Sequence, residues 1–162
     1  MSKLACWMTT MTFAIAAGAA AETPATTAPV AATAPAYDEA LARSLGADEN
    51  GMRAYVLVIL KTGPTRVPDG PERDAIFRGH FANIERLSRE GKLAYAGPLD
   101  NVDGWRGLFI LAVDDLDEAK KIVATDPVVI SGEMVAEYHK HYGSAALMTV
   151  GELHRKIARK NP

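Results

Sequence analysis

Two near-continuous aliphatic runs, "RAYVLVILKTGP" (53–64) and "WRGLFILAV" (105–113), an amphipathic segment after each of them, and shorter strand-like stretches at 92–99 and 133–143 succeed one another in β-α-β-β-α-β order. That order predicts an α+β domain of ferredoxin-like type, occupying residues 53–142.

Each element follows from its local chemistry. Residues 53–64 are β-branched and aliphatic and end on Gly63-Pro64, which suits a central strand. Pro71 fits a first helical position, Glu72 and Asp74 suit the positive end of the helix dipole, and Gly91 closes the segment; Ile76, Phe77, Phe81, Ile84 and Leu87 form its apolar stripe. "KLAYAGPL" (92–99) and "WRGLFILAV" flank the turn cluster "DNVDG" (100–104) and form a hairpin. "DDLDEAKKIVAT" begins with acids, turns basic, and places Leu116, Ala119, Ile122 and Val123 on one face of a second helix. "EMVAEYHKHYG" (133–143) is the closing strand.

Both helices of this topology lie on one face of the sheet, yet "AYVLVIL" and "LFILAV" are apolar at odd and even positions alike. The expected cover for the second face is another copy of the chain, giving a homodimer packed sheet to sheet.

The flanks differ in composition. Residues 1–21 carry Lys3, an apolar run from Leu4 to Ala17 and the small residues Ala19 and Ala21, the pattern of a signal peptide cleaved after Ala21. The expectation is a periplasmic or otherwise exported chain with no stable membrane association after cleavage. Cys6 is the single cysteine and leaves with the signal, so the mature chain folds without disulfides, thiol catalysis or thiolate-bound metal. Residues 22–36 are almost entirely Ala, Thr, Pro and Val and read as a linker. Residues 37–52 form a short helical extension, with Asp38 as N-cap and Gly46 as stop. Residues 148–162 form a C-terminal amphipathic helix, with Thr149 and Glu152 as a capping box, Met148 and Leu153 as a hydrophobic staple, and Arg155, Lys156, Arg159 and Lys160 on a solvated face.

At 162 residues, 48% apolar and 23% charged, the chain has room for one core. A net charge of −2 with no basic cluster in the domain excludes a phosphate-tracking, nucleic-acid-binding role. No glycine-rich phosphate loop occurs, so no nucleotide cofactor is expected, and no other cofactor is indicated.

The candidate chemistry centres on His80 and Asp126. His80 lies four residues from both Ile76 and Ile84, so helix geometry turns it toward the sheet, where a buried histidine needs a partner. Asp126 precedes Pro127, as an N-cap precedes a first helical proline, but a carboxylate has about four acceptor sites and is able to cap a helix and face an imidazole together. A neighbouring carboxylate fixes an imidazole's tautomer and favours its protonated form, which makes a proton shuttle suited to isomerisation, elimination or hydration beside a carbonyl. Nucleophilic hydrolysis fits poorly, since neither Ser88 nor Ser131 sits in a strained nucleophile motif.

The blocks "FRGHFANIERLSREGKLAYAGPL" and "ATDPVVISGEMVAEYHKHYG", through their helical histidine, their A-G-P ending and their D-P…G spacing, resemble the YciI-like (YCII-related) family over roughly residues 53–147. The following "YGSAAL" is similar to an exported subgroup of it. The resemblance implies a dimeric α+β barrel type of ferredoxin-like fold, also used by muconolactone-isomerase-type proteins. It also implies a pocket whose histidine and aspartate of enzymatic role fall on His80 and Asp126, with the Gly97-Pro98 turn shaping it. One departure stands out: the subgroup's H-P-W-Y-G is "HKHYG" here, with Lys140 and His141 at the altered positions.

Tyr55 and Tyr138 are candidates for lining a substrate pocket, as Tyr95 and Trp105 are more weakly, and core packing explains the same aromatics. Arg106 is a candidate for holding a substrate carboxylate, though an exposed hairpin arginine needs no such role. His139 and His141 share one side of a strand with Glu137, a spacing able to hold a metal; an exposed or interfacial strand face is the expected reading, with no metal. Two functions therefore stand side by side. One is a small cofactor-free enzyme of isomerase or lyase type acting on a small organic molecule; the other is a non-catalytic ligand-binding or protein-interaction module in which His80 and Asp126 form a structural hydrogen bond.

Overall fold

Alternation along the longest strand explains the whole arrangement. In β1 (Met52–Thr62) the side chains of Val56, Val58 and Leu60 point one way and join the main hydrophobic core, while Tyr55, Leu57 and Ile59 point the other way. This computed structural model describes residues 36–160; the expected signal peptide, and all but the last residue of the expected linker, lie outside the described residues.

β1 pairs antiparallel with β3 (Trp105–Leu111) on one side and β4 (Met134–Ser144) on the other, and β2 (Leu93–Pro98) completes the order β2-β3-β1-β4. Helices α2 (Pro71–Arg89) and α3 (Leu116–Val123) connect the halves and close the core over Val56, Val58, Leu60, Phe109 and Leu111. The fold is α+β and ferredoxin-like, with an added C-terminal helix.

The other face of the sheet is less covered: Leu57, Leu108 and Ile110 are half-buried, while Tyr95, Trp105 and Val135 are exposed. At one end of this face the Tyr55 hydroxyl donates to the Ser144 carbonyl at 2.9 Å and its ring lies 6.2 Å from His141.

A short helix, α4 (Pro127–Ile130), separates α3 from β4, and Asp126 is its N-cap. The turn after α4 depends on glycine: Gly132 has φ +75°, and a Cβ on Gly63 would come within 2.0 Å of the Gly132 carbonyl oxygen. This close approach fixes where Glu133 enters β4.

At the N-terminal side, α1 (Glu39–Ser44) is capped by Asp38, which accepts from Leu41 N–H at 2.9 Å. Arg53 bonds the Leu45 carbonyl at 3.0 Å and so ties this extension to β1.

The C-terminal helix α5 (Val150–Ile157) forms, but not through the expected capping box. The chain enters it from a 3-10 turn at Ala145–Thr149, so Thr149 already has helical dihedrals and makes no side-chain cap. Its hydroxyl donates back to Ala146 at 2.8 Å, Glu152 pairs forward with Lys156, and Leu153 remains 55% exposed, which leaves the staple open. No described helix is long and apolar enough to cross a membrane.

Candidate functional site

On α2, residues 73, 77, 80 and 83 recur at helical spacing on the inward side, so Arg73, Phe77, His80 and Asn83 form one row. His80 is 8% exposed and Asp126, facing it from the start of α4, is wholly buried. The ring Nδ1 lies 2.9 Å from Oδ1 and 2.9 Å from Oδ2 of the aspartate. Asn83 Nδ2 donates to Oδ2 at 3.1 Å and the Val128 backbone N–H donates to Oδ1 at 3.1 Å. One carboxylate thus caps α4 and grips the ring together, as its acceptor capacity allows.

The amide of Asn83 has one orientation open to it, because its Oδ1 accepts from Arg86 at 2.7 Å while its Nδ2 serves Asp126. Close approach of α4 to α2 depends on Gly79, where a Cβ would lie 2.8 Å from Cγ of Pro127. Phe109 lies beneath the imidazole in a stacked arrangement with ring centroids 5.9 Å apart, Phe77 meets it edge-on at 6.2 Å and Phe81 leans against it at 5.5 Å. The aromatic walls hold the ring plane, a carboxylate against Nδ1 favours the tautomer with its proton there, and Nε2 is left without a protein partner among the described residues.

The remaining sequence candidates are dispersed. Tyr55 is on the opposite face of the sheet from His80, so the structure does not bring the two together. Tyr138 is on the helix-covered face, opposite Val58 on β1; its burial pushes the phenol pKa up, against the opposing charge of Lys120. Gly97 and Pro98 end β2 opposite Leu108 and Gly107, and a Cβ on Gly97 would meet the Tyr95 hydroxyl at 2.8 Å.

Arg106 is not an exposed hairpin arginine. The β1–β3 register passes from Leu60–Gly107 to Lys61–Trp105, so Arg106 is the extra residue of a bulge, and its guanidinium lies 3.7 Å from Oε1 of Glu133. Glu133 is 2% exposed and also takes Arg73 at 3.0 Å on Oε1 and the Val67 N–H at 2.8 Å on Oε2. Burial alone would push this carboxyl up, but the Val67 amide and the two guanidiniums outweigh it and hold its pKa below the ordinary glutamate value. Arg73 also lies over the Phe77 ring, 4.5 Å from its centroid.

Among the described residues no three His, Cys, Asp or Glu side chains converge as a metal site. His139 bonds Glu137 at 2.7 Å on the exposed part of β4. A concavity of about 280 Å³ between α2 and α3 is lined by Arg86, Leu87, Lys121, Ile122 and Thr125, and another of about 230 Å³ lies beside α1; neither includes His80 or Asp126.

Sequence reasoning missed Asn83, Arg73 and Glu133. Asn83 carried a signal, being a polar residue three positions after His80 on an apolar stripe; Glu133 carried none, since its burial depends on the Gly63–Gly132 contact.

The sequence is similar to known proteins. A protein of Bacillus subtilis (strain 168), named YjpA and described as uncharacterized, is 37% identical over 54 residues, which span 33% of this chain and 61% of that relative. The solved structure of 5-chloro-2-hydroxyhydroquinone dehydrochlorinase from Burkholderia phenoliruptrix AC1100, in complex with 2,5-dihydroxybenzoquinone, is 22% identical with a TM-score of 0.37, covering 53% of this chain and 94% of its own. The YCII-related domain matches residues 52–139, more than half of the sequence, and the chain belongs to that family.

Proposed function

We propose that the protein is a small enzyme that moves protons on a small organic molecule, in an isomerisation or elimination, with His80 as the catalytic acid–base group. The observation that carries this reading is the Nδ1 contact at 2.9 Å to both oxygens of a fully buried carboxylate. It commits one ring nitrogen to Asp126 and leaves Nε2 to accept a proton from a carbon beside a carbonyl. The resulting imidazolium is stabilised by the carboxylate and returns the proton to another carbon, or to a leaving group as that group departs. Asp126 acts through the ring, and is therefore a positioning residue, as is Asn83 behind it.

The test is the ring's own nitrogen spectrum. In ¹⁵N-resolved NMR of the neutral imidazole, His80 is expected to carry its proton on Nδ1 with Nε2 bare, and Asp126→Asn to redistribute the tautomers. A proton found on Nε2 in the wild type, or no response to Asp126→Asn, sinks the reading. The gain-of-information assay is solvent deuterium uptake into small carbonyl compounds, expected with wild type and absent with His80→Gln.

The second reading, a non-catalytic ligand-binding or interaction module, draws on the near-complete closure of His80. It is favoured if His80→Gln loses stability while deuterium uptake is absent from both proteins.

The proposed setting is an exported homodimer. Support for export is the residue 1–21 pattern, and support for the dimer is the sheet face bearing Leu57, Leu108 and Ile110, with exposed Tyr95, Trp105 and Val135 around it. Sedimentation of the mature chain as a monomer at micromolar concentration would overturn the dimer.

A further inference from the structure

The acid–base reading of His80 leaves the Glu133 cluster without a purpose. Its ingredients are two guanidiniums and one buried carboxylate, and they are unevenly matched. Both arginines address the same oxygen, Oε1, because the Val67 amide takes Oε2. Arg106 reaches it only at 3.7 Å, beyond hydrogen-bond distance, although its side chain is 17% exposed. Among the described residues its guanidinium has no hydrogen-bond acceptor. Arg73 donates one good bond to Glu133, has a second contact at 3.5 Å to the exposed Asp69, and its buried Nε has no partner. A pair of arginines in this state has spare donors and more positive charge than its buried counter-ion neutralises.

Position adds a direction. Counted back from the core residue Phe109, strand alternation would send Arg106 to the far face; the bulge moves Trp105 there instead, where it packs with Lys61, and leaves Arg106 beside Glu133. Arg73 and His80 share one row of α2, separated by two turns, or about 10 Å along the axis. Phe77 lies between them, contacting the guanidinium on one side and the imidazole on the other.

Resting on the acid–base reading, we propose that Arg73 and Arg106 hold the carboxylate of a small organic acid whose reactive carbon faces His80, with Glu133 as the internal anion that shares them. The substrate class is thus a small carboxylate long enough to reach from Arg73 past Phe77 to His80, with its apolar body against the Phe77 ring. Two guanidiniums supply the planar donor forks that suit a carboxylate, and the glutamate keeps them poised and soluble in the interior.

The experiment uses the full chain and benzoate as probe, following the arginine Nε–H signals by NMR, with benzyl alcohol as the uncharged control. Benzoate is expected to move the Arg73 and Arg106 signals saturably and benzyl alcohol to leave them in place. Arg106→Met should weaken benzoate at least tenfold, and Glu133→Gln, which removes the internal competitor, should tighten it several-fold. Unmoved signals, an Arg106→Met variant of wild-type affinity, or a Glu133→Gln variant that binds more weakly would each overturn the proposal. If Glu133→Gln does not fold, Arg106→Lys decides: it keeps the charge but loses the fork, and undiminished affinity there rejects the subsite. His80→Gln separates this proposal from the one beneath it, because that variant should still bind benzoate through Arg73 and Arg106 while deuterium uptake is lost. Benzoate binding without any His80-dependent proton transfer overturns the acid–base reading alone.

Discussion

Asp126 and Glu133 are seven residues apart, flank the same short helix and are both removed from water, yet their partners differ in kind. Asp126 is held by an imidazole, an amide and a backbone N–H; Glu133 is held by two guanidiniums and a backbone N–H. An arginine never gives up its charge in a protein, so Glu133 is locked as an anion beside fixed cations. The partner of Asp126 is an imidazole, a side chain whose charge is not fixed by its chemistry, so the two carboxylates face partners of different kinds. Equal burial therefore produces a static ionic knot in one place and a responsive pair in the other.

The largest effect should come from the knot. Glu133→Ala strands two partly buried cations and is expected to lower unfolding free energy by about 3–5 kcal/mol in denaturant titrations. A loss smaller than that of Asp126→Ala would break the comparison. The knot also has a pH signature. Because the folded-state pKa of Glu133 is depressed, its contribution is present above the unfolded value of about 4.3 and is lost as pH falls through the folded value. The stability difference between wild type and Glu133→Gln should thus be flat from neutrality to about pH 5 and shrink below that.

Asp126→Ala comes next. It removes the α4 cap and leaves the ring, Asn83 and the Val128 amide without their acceptor, an expected loss of about 1–3 kcal/mol. Thermal melts measure it, and the ¹⁵N spectrum of His80 should change with it. A smaller effect is expected at Gly79→Ala, where the added methyl group presses on Pro127: overpacking of about 1–3 kcal/mol is partly offset by about 1 kcal/mol of improved helix propensity. The sharper readout there is the His80 spectrum, since parting α2 from α4 lengthens the bond to Asp126. Thr149→Ala should fall within about 0.5 kcal/mol, because its hydroxyl caps nothing at α5.

Much of this was legible in the sequence because it depends on local rules. Periodicity located the four strands and the helices α2 and α3, and the i±4 spacing from Ile76 and Ile84 turned His80 inward. Asp-Pro marked the start of α4, although the helix itself is only four residues long. The side of β1 that carries the helices was not legible: with Tyr55, Val56, Leu57 and Val58 all apolar, alternation separates two sets without saying which is which. Tyr55, a pocket candidate as an aromatic with core packing as its alternative, lies on the face away from His80. Arg106 was found for its charge, but its surroundings depend on a register slip that no turn residue announces. Thr149 and Glu152 matched a capping box, and a 3-10 turn reached the helix first, which left the threonine no extended backbone from which to cap.

The double duty of Asp126 ties two equilibria together. Its Oδ1 both starts α4 and receives the ring, so whatever draws His80 away also loosens the first turn of that helix, and fraying of the turn weakens the hold on the imidazole by the same free energy. Hydrogen exchange at the Val128 amide is therefore a remote gauge of ring occupancy, readable with no ligand added.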